Sequence, residues 1–325
     1  MSVRTRTALA LVPLLALLLA PADASAQLGR LRDAVSDVGE RVVGGGLASR
    51  LAGDPPISTS LADAVWGDPE VDDFDPADDE FQSMADLERT DTGGFVLREG
   101  LWEMHTQSYC LKAGTHGPGG GEGYLYAPPT GPAQALVTAI LRNSVNHPEI
   151  RQSDIQVLLW SIIARAKFED WSNPIRATAL RLVDEQMLLM ANRTALDFVP
   201  DAVLNEALAG MPPLVRQIIE AENQLRYMVT ETNATFDEME RVAVLAGMAP
   251  EGEGSRAVPE GRWSKHPDGY YVRYLPQGYS YTHTQIWVPE GSEAAGGEYD
   301  PSMHIAVPGN TARQRLVQSG RFRAE

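Results

Sequence analysis

Cysteine is almost absent from this chain: Cys110 is the only one in 325 residues. A single cysteine excludes an internal disulfide framework of the kind that holds small exported domains together. Cys110 stands in the segment Tyr109-Cys110-Leu111, and a glycine-rich stretch follows it. A functional interpretation of the sequence therefore has to account for this one thiol first.

Long hydrophobic runs are also scarce. The one marked run, Ala8 to Ala20, follows Arg4 and Arg6 and precedes Ala24-Ser25-Ala26, which is the order of a signal peptide. We expect residues 1–26 to be removed on export, to the periplasm, the cell surface or the medium. The run is too short to span a bilayer, and no later stretch is apolar enough, so we predict no transmembrane segment. A lone exported thiol is open to oxidation unless it is buried, reactive or covalently capped.

Basic residues are in deficit. Lys and Arg number 27 against 44 Asp and Glu, which gives a net charge of -17. Such an acidic chain repels phosphate backbones and anionic lipid, so we expect no nucleic-acid partner and no electrostatic lipid anchor. The hydrophobic fraction of 43% is enough for a packed core, which excludes a largely disordered chain. No pattern indicates a cofactor, and none fixes the oligomeric state.

Residues 27–93 are predicted to be an acidic, partly flexible lead-in. Residues 68–80 hold eight carboxylates in thirteen positions. Clustered carboxylate oxygens suit Ca²⁺, and Asp72, Asp73 and Asp75 are the candidate ligands. The turn glycine of an EF-hand loop is missing and two prolines interrupt the run, which favours a solvated linker without a metal.

The remainder of the chain predicts an α+β fold. Residues 94–250 are expected to form the core, with short strands, a loop over 114–123 that holds six glycines, and then mainly helices. Apolar spacings between Leu214 and Ala243 predict one long helix bent near Asn233. Two strand patterns after residue 270 predict a small β-rich C-terminal module over 251–325.

Cys110 and Gln156 belong to an ordered set of short motifs. Tyr109-Cys110-Leu111 precedes the glycine-rich loop, the stretch Ile140-Leu141-Arg142-Asn143-Ser144 follows, and Ile155-Gln156-Val157-Leu158-Leu159-Trp160 comes last. This set resembles the thioester domains of bacterial surface adhesins over about residues 100–165. Those domains carry a cysteine between an aromatic and an aliphatic residue, an Ile-Leu-x-Asn-Ser-like stretch on a helix, and an aliphatic-Gln-x-x-aliphatic-Trp motif on a second helix.

The resemblance implies a covalent bond between the Cys110 Sγ and the Gln156 Cδ, formed with loss of ammonia. It implies an exported adhesion or anchoring module whose thioester captures an amine on a partner protein or surface ligand. Capture would occur once per molecule rather than in turnover, so the chain would not be an enzyme in the usual sense. Burial would protect the thioester from water. The residues expected to support the bond are Tyr109, Leu111, Asn143 and Trp160.

Two other interpretations stay open. In the first, the chain is a non-catalytic exported scaffold, with Cys110 a free buried thiol and Gln156 a polar position on an apolar helix. In the second, it is a cysteine-dependent hydrolase or acyltransferase, with His116 or His147 as the base and Asp154 or Asn143 orienting it. No local nucleophile signature accompanies Cys110. The other four histidines have no zinc-ligand spacing: His105, His266, His283 and His304.

Overall fold

The computed structural model describes residues 45–57, 60–67, 71, 80–231 and 233–323. The helices of these ranges are α1 Gly45–Leu51, α2 Gln134–Ser144, α3 Gln152–Ile163, α4 Asn173–Leu182, α5 Glu185–Leu188, α6 Asp201–Ala207, α7 Pro213–Thr230 and α8 Phe236–Ala243. The strands are β1 Gln82–Ser83, β2 Phe95–Val96, β3 Gly100–Cys110, β4 Thr115–His116, β5 Tyr124–Ala127, β6 Val244–Leu245, β7 Ser264–Lys265, β8 Tyr271–Pro276, β9 Tyr281–Val288, β10 Glu298–Tyr299, β11 Ile305–Pro308 and β12 Leu316–Phe322. The chain is of the mixed α+β class.

The chain divides into two compact units, Met1–Arg50 and Leu51–Glu325. In the first unit the structure describes only the beginning of α1. All elements from β1 to β12 belong to the second unit. The signal peptide predicted over 1–26 and the candidate calcium ligands Asp72, Asp73 and Asp75 lie outside the described residues.

One large sheet organises the second unit. Its strands run in the order β5-β11-β12-β3-β9-β8-β7, with antiparallel neighbours, and the short β1 pairs in parallel with β3. The sheet curves so that its two edge strands approach each other. At that point the Tyr126 N–H of β5 donates to the Ser264 Oγ of β7 at 3.0 Å. The long β3 lies near the middle of the sheet. Its side chains alternate between the two faces along its whole length.

The two faces of the curved sheet bury two separate cores. Alternation along β3 sends Trp102, Met104 and Cys110 to the inner face, where they join an aromatic cluster that includes Tyr124 and Tyr274. The intervening residues of the same strand point outward. At the Cys110 end the helices cover this outer face, so each strand there is buried on both sides.

Helices α2 and α3 form the layer on the outer face. Tyr109 and Leu111 of the β3 end pack in one cluster with the apolar residues of both helices. Helix α3 is apolar almost all round because α7 and α8 cover its far side, and its buried residues include Ile155, Leu159 and Trp160. This layered position fixes α3 against the end of β3.

The C-terminal residues do not form a small module of their own. Strands β7, β8, β9, β11 and β12 all lie in the large sheet, where β9 and β12 flank β3 on its two sides. The strand patterns after residue 270 predict a small β-rich module over 251–325, but alternation identifies strands without identifying their partners. Residues 94–250 and 251–325 therefore share one sheet.

The second half of the predicted lead-in is packed. Met84 and Leu87 are buried in the inner cluster, and Gln82 pairs with Trp102 of β3. The long helix predicted between Leu214 and Ala243 is two helices, since α7 ends at Thr230 and α8 begins at Phe236. A reciprocal capping box between Thr235 and Glu238 starts the second helix.

None of the helices in the described ranges combines the length and the apolar character that crossing a bilayer requires.

Candidate functional site at the end of β3

Cys110 is the last residue of β3, at a point where one neighbouring strand has already ended. Strand β9 accompanies β3 only as far as the pair Gln107 and Tyr281. On the other side, β12 continues to Leu316 opposite Cys110, and the Leu111 N–H donates to the Arg315 carbonyl at 3.0 Å. In an antiparallel ladder successive residues bond to opposite sides. The main-chain N–H and C=O of Cys110 therefore face the β9 side of β3, where β9 no longer provides a partner.

The side chain of Gln156 fills that place. Its Oε1 accepts a hydrogen bond from the Cys110 N–H at 2.8 Å, and its Nε2 donates to the Cys110 carbonyl at 3.2 Å. Gln156 is only 2% exposed. The carboxamide thus continues the hydrogen-bond ladder as a peptide group of β9 would, and it satisfies two buried main-chain groups that otherwise have no strand partner.

A second glutamine makes a similar contact one helical turn earlier. The Nε2 of Gln152 donates to the Ser108 carbonyl at 3.1 Å and to the Ser280 carbonyl at 2.6 Å. Residues four apart lie on the same face of a helix, so Gln152 and Gln156 together attach α3 to the end of β3. Gln152 carries no motif of its own, but its four-residue spacing from Gln156 indicates a shared helix face.

The thiol of Cys110 is fully buried on the inner face of the sheet. Burial raises the pKa of the thiol well above its ordinary value, and the carboxylate of Glu240 acts in the same direction. Cys110 is therefore protonated at neutral pH. Glu240 lies on α8 and accepts a hydrogen bond from the Tyr279 hydroxyl, whose pKa is raised by burial first and by this carboxylate second.

Glu240 and Tyr279 were not candidates in the sequence analysis. Both are partly buried and come from distant parts of the chain, α8 and the turn between β8 and β9. No spacing relates them to Cys110, so only the folded arrangement could have identified them.

The residues expected to support the bond divide into two groups. Tyr109 and Leu111 flank Cys110 and pack on the outer face, and burial raises the pKa of the Tyr109 hydroxyl to about 12. Trp160 is fully buried and stacks on Phe236 of α8 with ring centroids 5.5 Å apart. Asn143, by contrast, is exposed, and its Nδ2 donates to the Leu182 carbonyl at 2.6 Å. Asn143 therefore ties α2 to the end of α4 and is not part of this site.

The alternative set of hydrolase residues is not assembled. His147 lies beyond the end of α2 and contacts Glu149 at 3.2 Å, while Asp154 pairs with Arg151. His116 lies in β4. Among the described residues, no hydrogen bond joins Cys110 to either histidine, and a catalytic base has to reach the proton that it removes.

A cleft of about 760 Å³ with a mixed apolar and charged lining begins one residue beyond the site, lined among others by Leu111 and Lys112. Glu222 lies in its wall, 4.0 Å from the Arg165 guanidinium. Burial raises the pKa of Glu222 to about 7, against the lowering effect of its arginine neighbours. Burial likewise lowers the pKa of Lys112 to about 7. Both groups therefore titrate near neutral pH.

One group of side chains in the described residues has the composition of a metal site, and it lies near the middle of β3. Glu103, His105 and His283 bring one potential ligand atom each to within 4.8 Å of one another. His105 and His283 show no zinc-ligand spacing in the sequence because they are far apart in the chain and meet only through the pairing of β3 with β9.

Comparison of the chain with models of known protein families, with curated proteins and with solved structures found no match.

Proposed function

We propose that this chain is an exported amine-capturing module, in which Cys110 and Gln156 form an internal thioester that acylates an amine of a partner protein or surface ligand. The observation that carries the proposal is the contact between the two residues: the Gln156 carboxamide is bonded to both main-chain groups of Cys110 in a buried position. The motif predicted this pair from sequence, and the pair is adjacent across 46 positions of the chain.

The hydrogen bonds have the directions that the reaction needs. Attack of the Cys110 Sγ on the Gln156 Cδ places negative charge on Oε1, which already accepts the Cys110 N–H at 2.8 Å. A preorganised main-chain donor at this distance stabilises such an oxyanion. The Sγ–Cδ bond forms, the Cδ–Nε2 bond breaks, and Nε2 leaves as ammonia with the thiol proton. No electron is gained or lost overall.

In this proposal the Glu240 carboxylate, which has no direct hydrogen bond to Cys110 among the described residues, takes the thiol proton as attack proceeds and passes it to the departing Nε2. Burial raises the pKa of the Cys110 thiol first and the Glu240 carboxylate second, and Glu240 accepts a hydrogen bond from the Tyr279 hydroxyl. A carboxylate accepts the proton of a buried thiol only as attack proceeds, because burial disfavours a free thiolate. In the capture step an amine attacks Cδ, the Cδ–Sγ bond breaks and Cys110 regains its proton.

A stored thioester also needs protection from water, and burial of the two residues provides it. Both reacting residues are at most 2% exposed, and Trp160 closes the helix side of the site together with Phe236. A thioester in this position is stored until a nucleophile enters, since hydrolysis needs a water molecule at Cδ.

Intact mass of the purified mature chain tests the proposal. We expect a mass lower than the sequence mass by one ammonia, and a methylamine adduct at Gln156 after treatment with that amine. Cys110→Ala and Gln156→Ala should both abolish the deficit. Gln152→Ala is the matched control, because it removes a neighbouring glutamine of the same helix face and should leave the deficit unchanged.

The scaffold interpretation makes the opposite prediction. In that interpretation Gln156 has a purely structural role, because its two hydrogen bonds to Cys110 end the ladder of β3. An unmodified mass with one titratable thiol in the unfolded chain would assign Gln156 that role and remove the amine-capture proposal.

A further inference from the structure

Glu103, His105 and His283 form a compact polar cluster on the outer face of the sheet. Strand pairing puts His105 directly opposite His283, and Glu103 lies two residues earlier on the same face of β3. The His283 Nε2 and the Glu103 Oε2 are 2.9 Å apart. The two imidazole rings are stacked, with centroids 4.1 Å apart and an angle of 12° between their planes.

The cluster lies on the part of the outer face that remains accessible. His105 is exposed, and the side chains of Glu103 and His283 are 33% and 16% exposed. A cleft of about 640 Å³ adjoins the cluster, with Glu103, His105, Phe322 and Arg323 in its wall. An ion at this place has an open side toward solvent, and the cleft has room for a further ligand on that ion.

A second layer of contacts orients the carboxylate. The Gln285 Nε2 donates to the Glu103 Oε2 at 3.3 Å, and the Arg273 Nε donates to the Gln285 Oε1 at 2.5 Å. All of these residues project from the same face of three adjacent strands, β3, β9 and β8. Partners of this kind fix the direction of a metal-binding side chain, and their loss weakens metal sites.

We propose that Glu103, His105 and His283 bind a divalent transition metal ion, with Zn²⁺ as the probe of choice. Two imidazoles and one carboxylate are the ligand set that zinc and iron(II) accept with an open coordination position. Binding requires the stacked rings to tilt so that one nitrogen of each points at a common ion. The site is separate from the Cys110–Gln156 pair, because its β3 residues lie five and seven positions before Cys110 and on the opposite face from the thiol.

Calorimetric titration of ZnCl₂ into the chelator-treated full chain tests the site, with Co²⁺ absorption spectra as a second readout of imidazole ligation. We expect one saturable equivalent and ligand-field bands of low coordination number. His105→Ala should remove both signals, and because His105 is exposed this variant keeps the fold. Gln285→Ala leaves the three ligands in place and should weaken binding about 10- to 100-fold.

His147→Ala is the matched control. His147 also lies beside a carboxylate, that of Glu149, but no second histidine faces it in the described residues. This variant should bind zinc as the wild type does. Absence of a saturable equivalent, or binding that His105→Ala leaves unchanged, would overturn the proposal. The mass deficit of the Cys110–Gln156 site should be the same in all of these variants, which separates the two proposals.

Discussion

Replacing Cys110 with alanine measures whether a covalent cross-link is present in the folded chain. A bond between Cys110 and Gln156 closes a loop of 46 residues. Constraint of the unfolded chain by a cross-link of this loop length stabilises the folded state by about 4 kcal/mol. Truncation of the small buried side chain itself costs about 1 kcal/mol. Cys110→Ala should therefore lower the free energy of unfolding by about 5 kcal/mol if the bond exists, and by about 1 kcal/mol if it does not.

Urea unfolding followed by tryptophan fluorescence separates these values. With a slope of about 3 kcal/mol per molar urea for a domain of this size, the midpoint should fall by about 1.7 M with a cross-link and by about 0.3 M without one. Thr106→Ala is the matched control, since Thr106 lies on the same strand and the same buried inner face, and its hydroxyl has no partner. It sets the cost of truncating a small inner-face side chain.

Gln156→Ala in the Cys110→Ala background isolates the structural part of the contact. It leaves the main-chain N–H and C=O of residue 110 buried without a partner, at a cost of about 1–3 kcal/mol for each group. A midpoint for Cys110→Ala within error of the Thr106→Ala midpoint would refute the cross-link, whatever the cost of losing the two hydrogen bonds.

Three further predictions concern residues around the site. Trp160→Ala should lower the free energy of unfolding by about 3–5 kcal/mol, measured in urea, and should speed loss of the thioester in water, measured by mass. Glu240→Gln in a Gln156→Ala background should lower the pKa of the Cys110 thiol, measured by alkylation rate against pH, because it removes the carboxylate that raises that pKa. Glu222 binds its proton more tightly in the folded than in the unfolded chain, since its pKa rises from 4.5 to about 7. Folding stability should therefore fall between pH 4.5 and 7 by about 3 kcal/mol more in the wild type than in Glu222→Gln, as urea midpoints across that range would show.

Local patterns predicted the two members of the candidate pair, and the fold explains why they could. Cys110 ends β3 and Gln156 lies on α3. Each residue stands within a short sequence motif, and the two motifs together identify the pair. The motif that includes Asn143 identifies the helix α2 but not the side of the helix on which the residue lies, and the Asn143 Nδ2 donates to the Leu182 carbonyl. A helix periodicity assigns a face only where the apolar stripe is clear, and Asn143 is exposed at the end of α2.

Partners that meet through strand pairing could not be predicted from spacing. The alternating residues of β9 and β12 identify strands after residue 270, but their place beside β3 depends on the packing of the whole sheet. This pairing brings His283 opposite His105 and places Tyr279 beside Glu240. Local patterns predict a separate C-terminal module and give no relation between the histidines. Both follow from treating strands of one nonlocal sheet as independent local segments.

The order of events at Cys110 follows from the geometry of Gln156. Its carboxamide reaches the Cys110 peptide only after α3 has packed on the end of β3, so the hydrogen bonds must precede any bond to sulfur. Loss of ammonia then removes the donor to the Cys110 carbonyl but keeps the oxygen that accepts the Cys110 N–H. In the proposed reaction the thioester therefore forms only in the folded chain, and it keeps one of the two original hydrogen bonds, the one from the Cys110 N–H. A protein refolded from urea as the free thiol should regain its secondary structure first and lose ammonia afterwards, whereas loss of ammonia in the unfolded chain would contradict this order.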